Sequence, residues 1–256
     1  MNLKIQHFVI FVTITVFFSC TNTPQRLTGI SGVQLPITDS IVGADSIELF
    51  VAPYRERVNE VLDSALAFAP KTITKLDGKF NTSAGNLMAD IVLSEANPVF
   101  NSTSGQNIDF VILNHGGIRS IISKGKVSAR TAYEVMPFDN SIVVVAIKGK
   151  SVRDLISFLI KADRPHPIAG IQIVLNKNGT LRDVNIKGKP FDENKTYQVA
   201  TSSYLADGGD NMGFFKDGLK VEDLNYFIRN AMIDYFIKVD TLTAEVDDRF
   251  VKIQEK

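Results

Sequence analysis

Asn178-Gly179 sits between two apolar runs, Ile171–Leu175 and Leu181–Ile186. Asn-Gly is a strong short-range hairpin signal, because both residues tolerate the positive φ that a tight type I′ turn demands. A hairpin makes its two strands antiparallel, which excludes an all-parallel doubly wound sheet. The rest of the chain alternates between helical and strand patterns. Asp109–Leu113 is a short apolar run that reads as a buried strand, and Ser141–Ile147 is strongly β-branched. Tyr197–Ser202 and Glu245–Ile253 read as further strands. Apolar residues at helical spacing predict helices over 46–69, 84–96, 152–162 and 221–237. Thr82 or Ser83 is a candidate cap for the second and Ser151 for the third; Ser128 starts a short helix through Val135. The expected fold class is mixed α/β (α+β), a single domain with a mixed sheet and flanking helices.

The N-terminus carries a different message. Lys4 precedes an apolar stretch, Phe8–Phe18, of secretory length and too short to span a bilayer. The single cysteine of the chain, Cys20, closes it. This pattern is that of a bacterial lipoprotein signal with lipid attached at Cys20. Residues 1–19 are therefore expected to be the signal peptide, and 20–45, rich in Thr, Ser, Gly and Pro, a tether. The folded domain is expected over 46–256. The expected location is extracytoplasmic and membrane-anchored, at the periplasm or cell surface.

Composition narrows the chemistry. Twenty-eight basic residues balance twenty-eight acidic ones, which argues against nucleic acid as a partner. Three histidines (His7, His115, His166) and one cysteine exclude a Cys-rich zinc site and a multi-histidine hydrolytic centre. P-loop, His-Glu-x-x-His and Gly-x-Ser-x-Gly motifs are absent.

Three segments carry candidate binding residues. Gly116 and Gly117 allow close backbone approach ahead of Arg119, whose planar fork suits phosphate or carboxylate. Pro137-Phe138-Asp139-Asn140 joins an aromatic face to an amide. Tyr204 stands ahead of a turn-forming stretch, Asp207-Gly208-Gly209-Asp210. Each has a bland reading: a common Gly-Gly turn, a core Phe after a helix end, a tight loop with a structural Asp.

In this order and spacing, the three segments resemble the C-terminal domain of the 5′-nucleotidase and UDP-sugar hydrolase family, together with Val143-Val144-Val145 and the Gly85-Asn86-Leu87 helix. The resemblance runs over roughly residues 46–253. It implies that Phe138 and Tyr204 sandwich a base, that Asn140 contacts the base, that Asp210 binds ribose and that Arg119 contacts phosphate. Gly116, Gly117, Gly208 and Gly209 would support these loops. Tyr204 stands where the family has Phe, and still stacks. The family's upstream phosphate-gripping arginines are replaced by a stretch with Lys75 and Lys79, and a glycine-rich turn by Asp163-Arg164-Pro165-His166-Pro167.

The same resemblance implies that phosphate-ester chemistry lies in a separate metallophosphatase domain holding two metals. No such domain is read ahead of residue 46. No catalytic residue, metal ligand or cofactor is therefore expected in this chain, and divalent metals are expected in a separately encoded metallophosphatase partner. The alternative is a non-catalytic nucleoside- or nucleotide-binding lipoprotein.

Overall fold

The computed structural model describes residues 3–17, 26–27, 29–38, 40–162 and 164–253; Cys20 lies outside them. The chain divides into two units, residues 1–50 and 51–256. In the first, α1 (Leu3–Phe17) covers most of the apolar N-terminal stretch. Every described position from 26 to 44 is exposed, without helix or strand. Helix α2 (Asp45–Asp63) begins there and continues into the second unit. No helix among the described residues is long and apolar enough to cross a membrane.

The second unit follows in chain order. It runs β1 (Ala65–Ala69), α3 (Ser83–Ser104), β2 (Phe110–Ile112), β3 (Gly125–Ser128), α4 (Ala129–Val135), β4 (Ser141–Lys148), α5 (Gly149–Ala162) and β5 (Ile168–Ala169). It continues through β6 (Ile171–Leu175), β7 (Leu181–Ile186), β8 (Lys189–Pro190), β9 (Thr196–Ser202), α6 (Ser203–Ala206), β10 (Lys220–Phe227), α7 (Ile228–Lys238) and β11 (Phe250–Lys252). The central sheet has the order β10-β4-β9-β2-β5. Its β2–β9 pair is parallel, and its other pairs are antiparallel. A second sheet, β11-β6-β7-β8, contains the expected Asn178-Gly179 hairpin, and β1 pairs with β3. The fold class is mixed α/β, as the interleaved patterns predict.

The unbroken apolar run of β4 is explained by burial on both faces. Ile142 and Val144 join one core with α3, α4 and α7 residues such as Ile91, Val135, Ala231 and Phe236. Val143, Val145 and Ile147 join the other, with Val152, Leu155, Ile156 and Leu159 of α5. Successive side chains point to opposite faces of a strand, so a strand with helices on both sides loses the polar half of its alternation.

Several sequence-based boundaries are corrected. The helix expected over 46–69 stops at Asp63, and Ala65–Ala69 is strand β1; alternation in this short segment is as compatible with a half-buried strand as with a last helical turn. The helix expected over 84–96 extends over Ser83–Ser104. Thr82 caps it by accepting from the Gly85 amide at 3.1 Å, and Gly105 ends it in the left-handed region. Ser151 lies inside α5, which begins at Gly149. The last strand shortens to Phe250–Lys252.

The largest correction concerns 221–237. Only Ile228–Lys238 is helical, and Lys220–Phe227 is a strand paired with β4. Without β10, β4 would expose a row of unpaired amides and carbonyls at the sheet edge. That requirement overrides the helical spacing of the side chains. The register breaks between Asp223 and Phe227, where Asn225 takes a φ of 51°.

Candidate binding cleft

Two turns and a helix start are positioned by the central sheet. β2 ends at Ile112, and the chain passes through Asn114 into a 3-10 turn, His115–Gly117, before Arg119. The Arg119 amide donates to the Val135 carbonyl at 2.8 Å, tying this turn to the end of α4. β4 begins just after Asn140, and β9 ends at Ser202, whose hydroxyl accepts from the Leu205 amide and starts α6. Ile142 of β4 pairs with Ser202 of β9. The loops carrying Phe138 and Tyr204 are thus neighbours because their strands are.

The result is one cleft of about 370 Å³, lined by Asn114, Gly116, Gly117, Arg119, Phe138, Asn140, Tyr204 and Asp210. All five side chains singled out from the three sequence segments meet there, with the glycines Gly116 and Gly117. The volume lies within the usual range for small-molecule sites. Phe138 and Tyr204 are 42% and 46% exposed, unlike most large apolar side chains of this unit. Cavities of about 560 Å³ beside Tyr226 and about 410 Å³ beside Phe80 collect none of these five side chains.

The polar wall of the cleft is tightly connected. Asp210 accepts from the Asn114 amide at 2.7 Å on one carboxylate oxygen and from the Tyr204 hydroxyl at 3.0 Å on the other. Its own backbone amide donates to the Tyr204 oxygen at 3.2 Å. Gly208 has a φ of 91°, which glycine adopts without strain. Gly209 is required by proximity: a Cβ there would lie 2.5 Å from the Tyr204 ring.

Three other groups shape the cleft without having been assigned roles from the sequence. Asn114, 8% exposed, is the first partner of Asp210. His166 is buried and accepts from the His115 backbone amide at 3.4 Å. Burial pushes the His166 ring below the ordinary imidazole range. A hydrogen bond to the Leu113 backbone and the charge of Asp210 act the other way. Burial likewise lowers His115, with Lys75 adding to the effect.

Arg229 is the third. It sits at the start of α7, 8% exposed, and donates to the carbonyls of Pro137 and Phe138 and to the Asp139 carboxylate. Its guanidinium lies 4.3 Å from the centre of the Tyr133 ring. The backbone around Phe138 is held from below by this one side chain. No local pattern marks it, since its partners Pro137 and Asp139 lie 92 and 90 positions away in the chain.

Lys75 and Lys79 separate. Lys75 donates to the Ile118 carbonyl at 2.5 Å, beside Arg119, and burial followed by the Arg119 charge lowers its pKa. Lys79 lies 5.6 Å from the centre of the Phe80 ring and lines a different cavity. The Arg119 guanidinium is 5.9 Å from the centre of the Phe138 ring and donates to the Gly116 carbonyl. The Asn86 and Asp90 side chains do not line the cleft. Asn86 bonds Asn81 and the Glu245 carbonyl, and Asp90 takes a bidentate contact from Arg249, fastening the C-terminal segment to α3. No group of three or more His, Cys, Asp or Glu among the described residues is placed to hold a metal ion.

This fold and these motifs are those of a known domain. The family model for the 5′-nucleotidase C-terminal domain matches residues 69–217, and the chain belongs to that family. Protein UshA of Escherichia coli (strain K12) is 39% identical over 106 residues, 40% of this chain and 19% of that protein. A 5′-nucleotidase of Vibrio vulnificus (strain CMCP6) is 31% identical over 173 residues, 63% of this chain and 28% of that protein. The crystal structure of a 5′-nucleotidase precursor from Thermus thermophilus shares the fold. Its TM-score is 0.67 at 23% identity, covering 82% of this chain and 43% of that one. The matched region spans less than half the length of each of these proteins.

Proposed function

We propose that this chain is the nucleotide-recognition part of a 5′-nucleotidase, completed by a metallophosphatase domain on a separate chain. Phe138 and Tyr204 hold the base between them, Asn140 reads its edge, Asp210 takes the ribose hydroxyls, and Arg119 takes the phosphate. The metallophosphatase supplies the two metals and the activated water, which together clamp the attacking and leaving oxygens. The chain is tethered outside the cytoplasm through lipid on Cys20.

The observation that supports this reading best is the convergence of three sequence segments, more than ninety positions apart at their ends, on one cleft with two exposed aromatics. The chemistry matches a nucleotide from end to end. Base–aromatic stacking is worth about 1–3 kcal/mol per base. A carboxylate accepts from a sugar diol, and an Arg fork presents paired donors to phosphate. The anchor rests on the apolar stretch ending at Cys20.

The test is calorimetric titration of the purified chain with AMP, UMP and the matching nucleosides, alongside Phe138→Ala. Binding of nucleotides that is lost in the variant is expected. Phosphate release by a metallophosphatase partner is then measured with and without the chain. Binding without any gain in phosphate release would favour the receptor role. Absence of binding in both settings would overturn the reading.

A further inference from the structure

Tyr204 does more than line the cleft. Its hydroxyl has one proton and two lone pairs. The proton goes to one Asp210 carboxylate oxygen at 3.0 Å, and one lone pair accepts the Asp210 backbone amide at 3.2 Å. The other Asp210 oxygen is held by Asn114 at 2.7 Å. A carboxylate ordinarily turns about its last bond. With a different donor on each oxygen, that rotation is stopped, and each oxygen keeps a second lone-pair site for a ligand.

The backbone makes the same point. Asp210 and Asn211 follow one another in the left-handed region, at φ of 50° and 62°. Non-glycine residues visit that region at a cost and remain there when surrounding contacts fix them. The Tyr204 hydroxyl is such a contact, since it bonds both the main chain and the side chain of Asp210. The bare Gly209 Cα lets the ring lie flush against the loop.

Resting on the function proposed above, we infer that Tyr204 is a positioning residue that makes the cleft selective for an intact ribose diol: its hydroxyl fixes Asp210 so that both carboxylate oxygens face the 2′- and 3′-hydroxyls at once. A carboxylate fixed at both oxygens accepts two neighbouring donors. A sugar lacking either hydroxyl leaves one fixed acceptor without a partner, and an unmatched polar group in a binding site is costly. Stacking on the ring face is indifferent to the sugar, so the two roles of Tyr204 are separable.

The experiment is calorimetric titration of the full chain with adenosine, 2′-deoxyadenosine, 3′-deoxyadenosine and 2′,3′-dideoxyadenosine, repeated with the uridine series. The dideoxynucleosides report stacking without the diol. The wild type is expected to prefer adenosine over dideoxyadenosine, and Asp210→Ala to erase that preference. Tyr204→Phe keeps the ring and is expected to reduce the preference by about 10- to 150-fold, the weight of one hydrogen bond to a charged group. Thermal melting by circular dichroism checks that the variant folds. The wild type carries an independent test: both singly deoxygenated nucleosides are expected to bind more weakly than adenosine, and equal affinity for either would overturn the inference. An undiminished preference in Tyr204→Phe, with the preference lost in Asp210→Ala, would also overturn it while leaving the proposed function intact. Failure of the wild type to bind any nucleoside or nucleotide would remove the reading on which it rests.

Discussion

Arg229 reaches from the first turn of α7 to the Asp139 carboxylate, 2.6 Å away, and in passing satisfies the Pro137 carbonyl. The Arg side chain is 10% exposed, while Asp139 is 76% exposed. The pair is therefore asymmetric: the buried partner matters to the loop, and the exposed one mainly anchors its far end. Arg229→Ala removes every one of these donors and leaves two carbonyls without partners. A loss of about 2–4 kcal/mol of unfolding free energy is expected, from unpaired polar groups and lost packing on Tyr133. Urea unfolding followed by circular dichroism measures it. Asp139→Ala should cost far less, since its carboxylate remains in water and surface pairs contribute little.

Phe138 stands in the same loop, between Pro137 and Asp139. It is 42% exposed, so Phe138→Ala should leave the melting temperature close to wild type. The loss should appear in binding instead. One stacked face corresponds to about 1–3 kcal/mol, a weakening of roughly 5- to 150-fold in nucleotide affinity. A variant with unaltered affinity would show that the ring is not a stacking surface.

Gly209 has no room for a side chain, since an added Cβ would fall 2.5 Å from the Tyr204 ring and 2.6 Å from the Tyr204 carbonyl. Gly209→Ala must push the ring away from the loop. Overpacking of this kind costs about 1–3 kcal/mol. Loss of the Tyr204–Asp210 hydrogen bonds should accompany it, and nucleoside binding should weaken together with the melting temperature. By contrast, Gly179→Ala faces open space but a φ of 85°, so only strain in the hairpin turn is expected there.

His166 gives a pH dependence. Its ring is held below the ordinary imidazole value of 6.5, first by burial and further by His115 and Arg164; the Leu113 backbone and Asp210 oppose this. The folded protein then binds fewer protons than the unfolded chain in the window just below 6.5. The stability is fully present above that pH and is lost as pH falls toward the folded value. His115 is displaced in the same direction and adds to it. Unfolding free energy should therefore drop as pH falls through the ordinary imidazole value of 6.5, and more steeply in wild type than in His166→Gln. Equal slopes would assign the pH dependence to other groups.

The sites of interest were legible to unequal degrees. Arg119, Phe138, Asn140, Tyr204 and Asp210 lie in turn-forming segments that locally read as plain turns; the order and spacing of the three segments, through the family resemblance, singles them out. All five reach the cleft. Asn114, His166 and Arg229 were not given roles, because what they do depends on partners far away in the chain. Asn114 and Asp210 are 96 positions apart, and Arg229 and Asp139 are 90 apart. No local pattern encodes such pairs.

Local physics decided the Asn178-Gly179 hairpin, the capped helix after Thr82, the short helix after Ser128 and the buried character of β4. Turn conformation, capping and β-branching act within a few residues, so the sequence determines them directly. Tertiary structure decided the rest. Residues 220–227 carry helical spacing and yet form a strand, because the open edge of β4 offers their backbone hydrogen bonds that a helix would leave unmade on the sheet. The same pairing puts Arg229 beneath the Phe138 loop. The adjacency of β4 and β9 then brings the aromatic faces of two loops into one cleft.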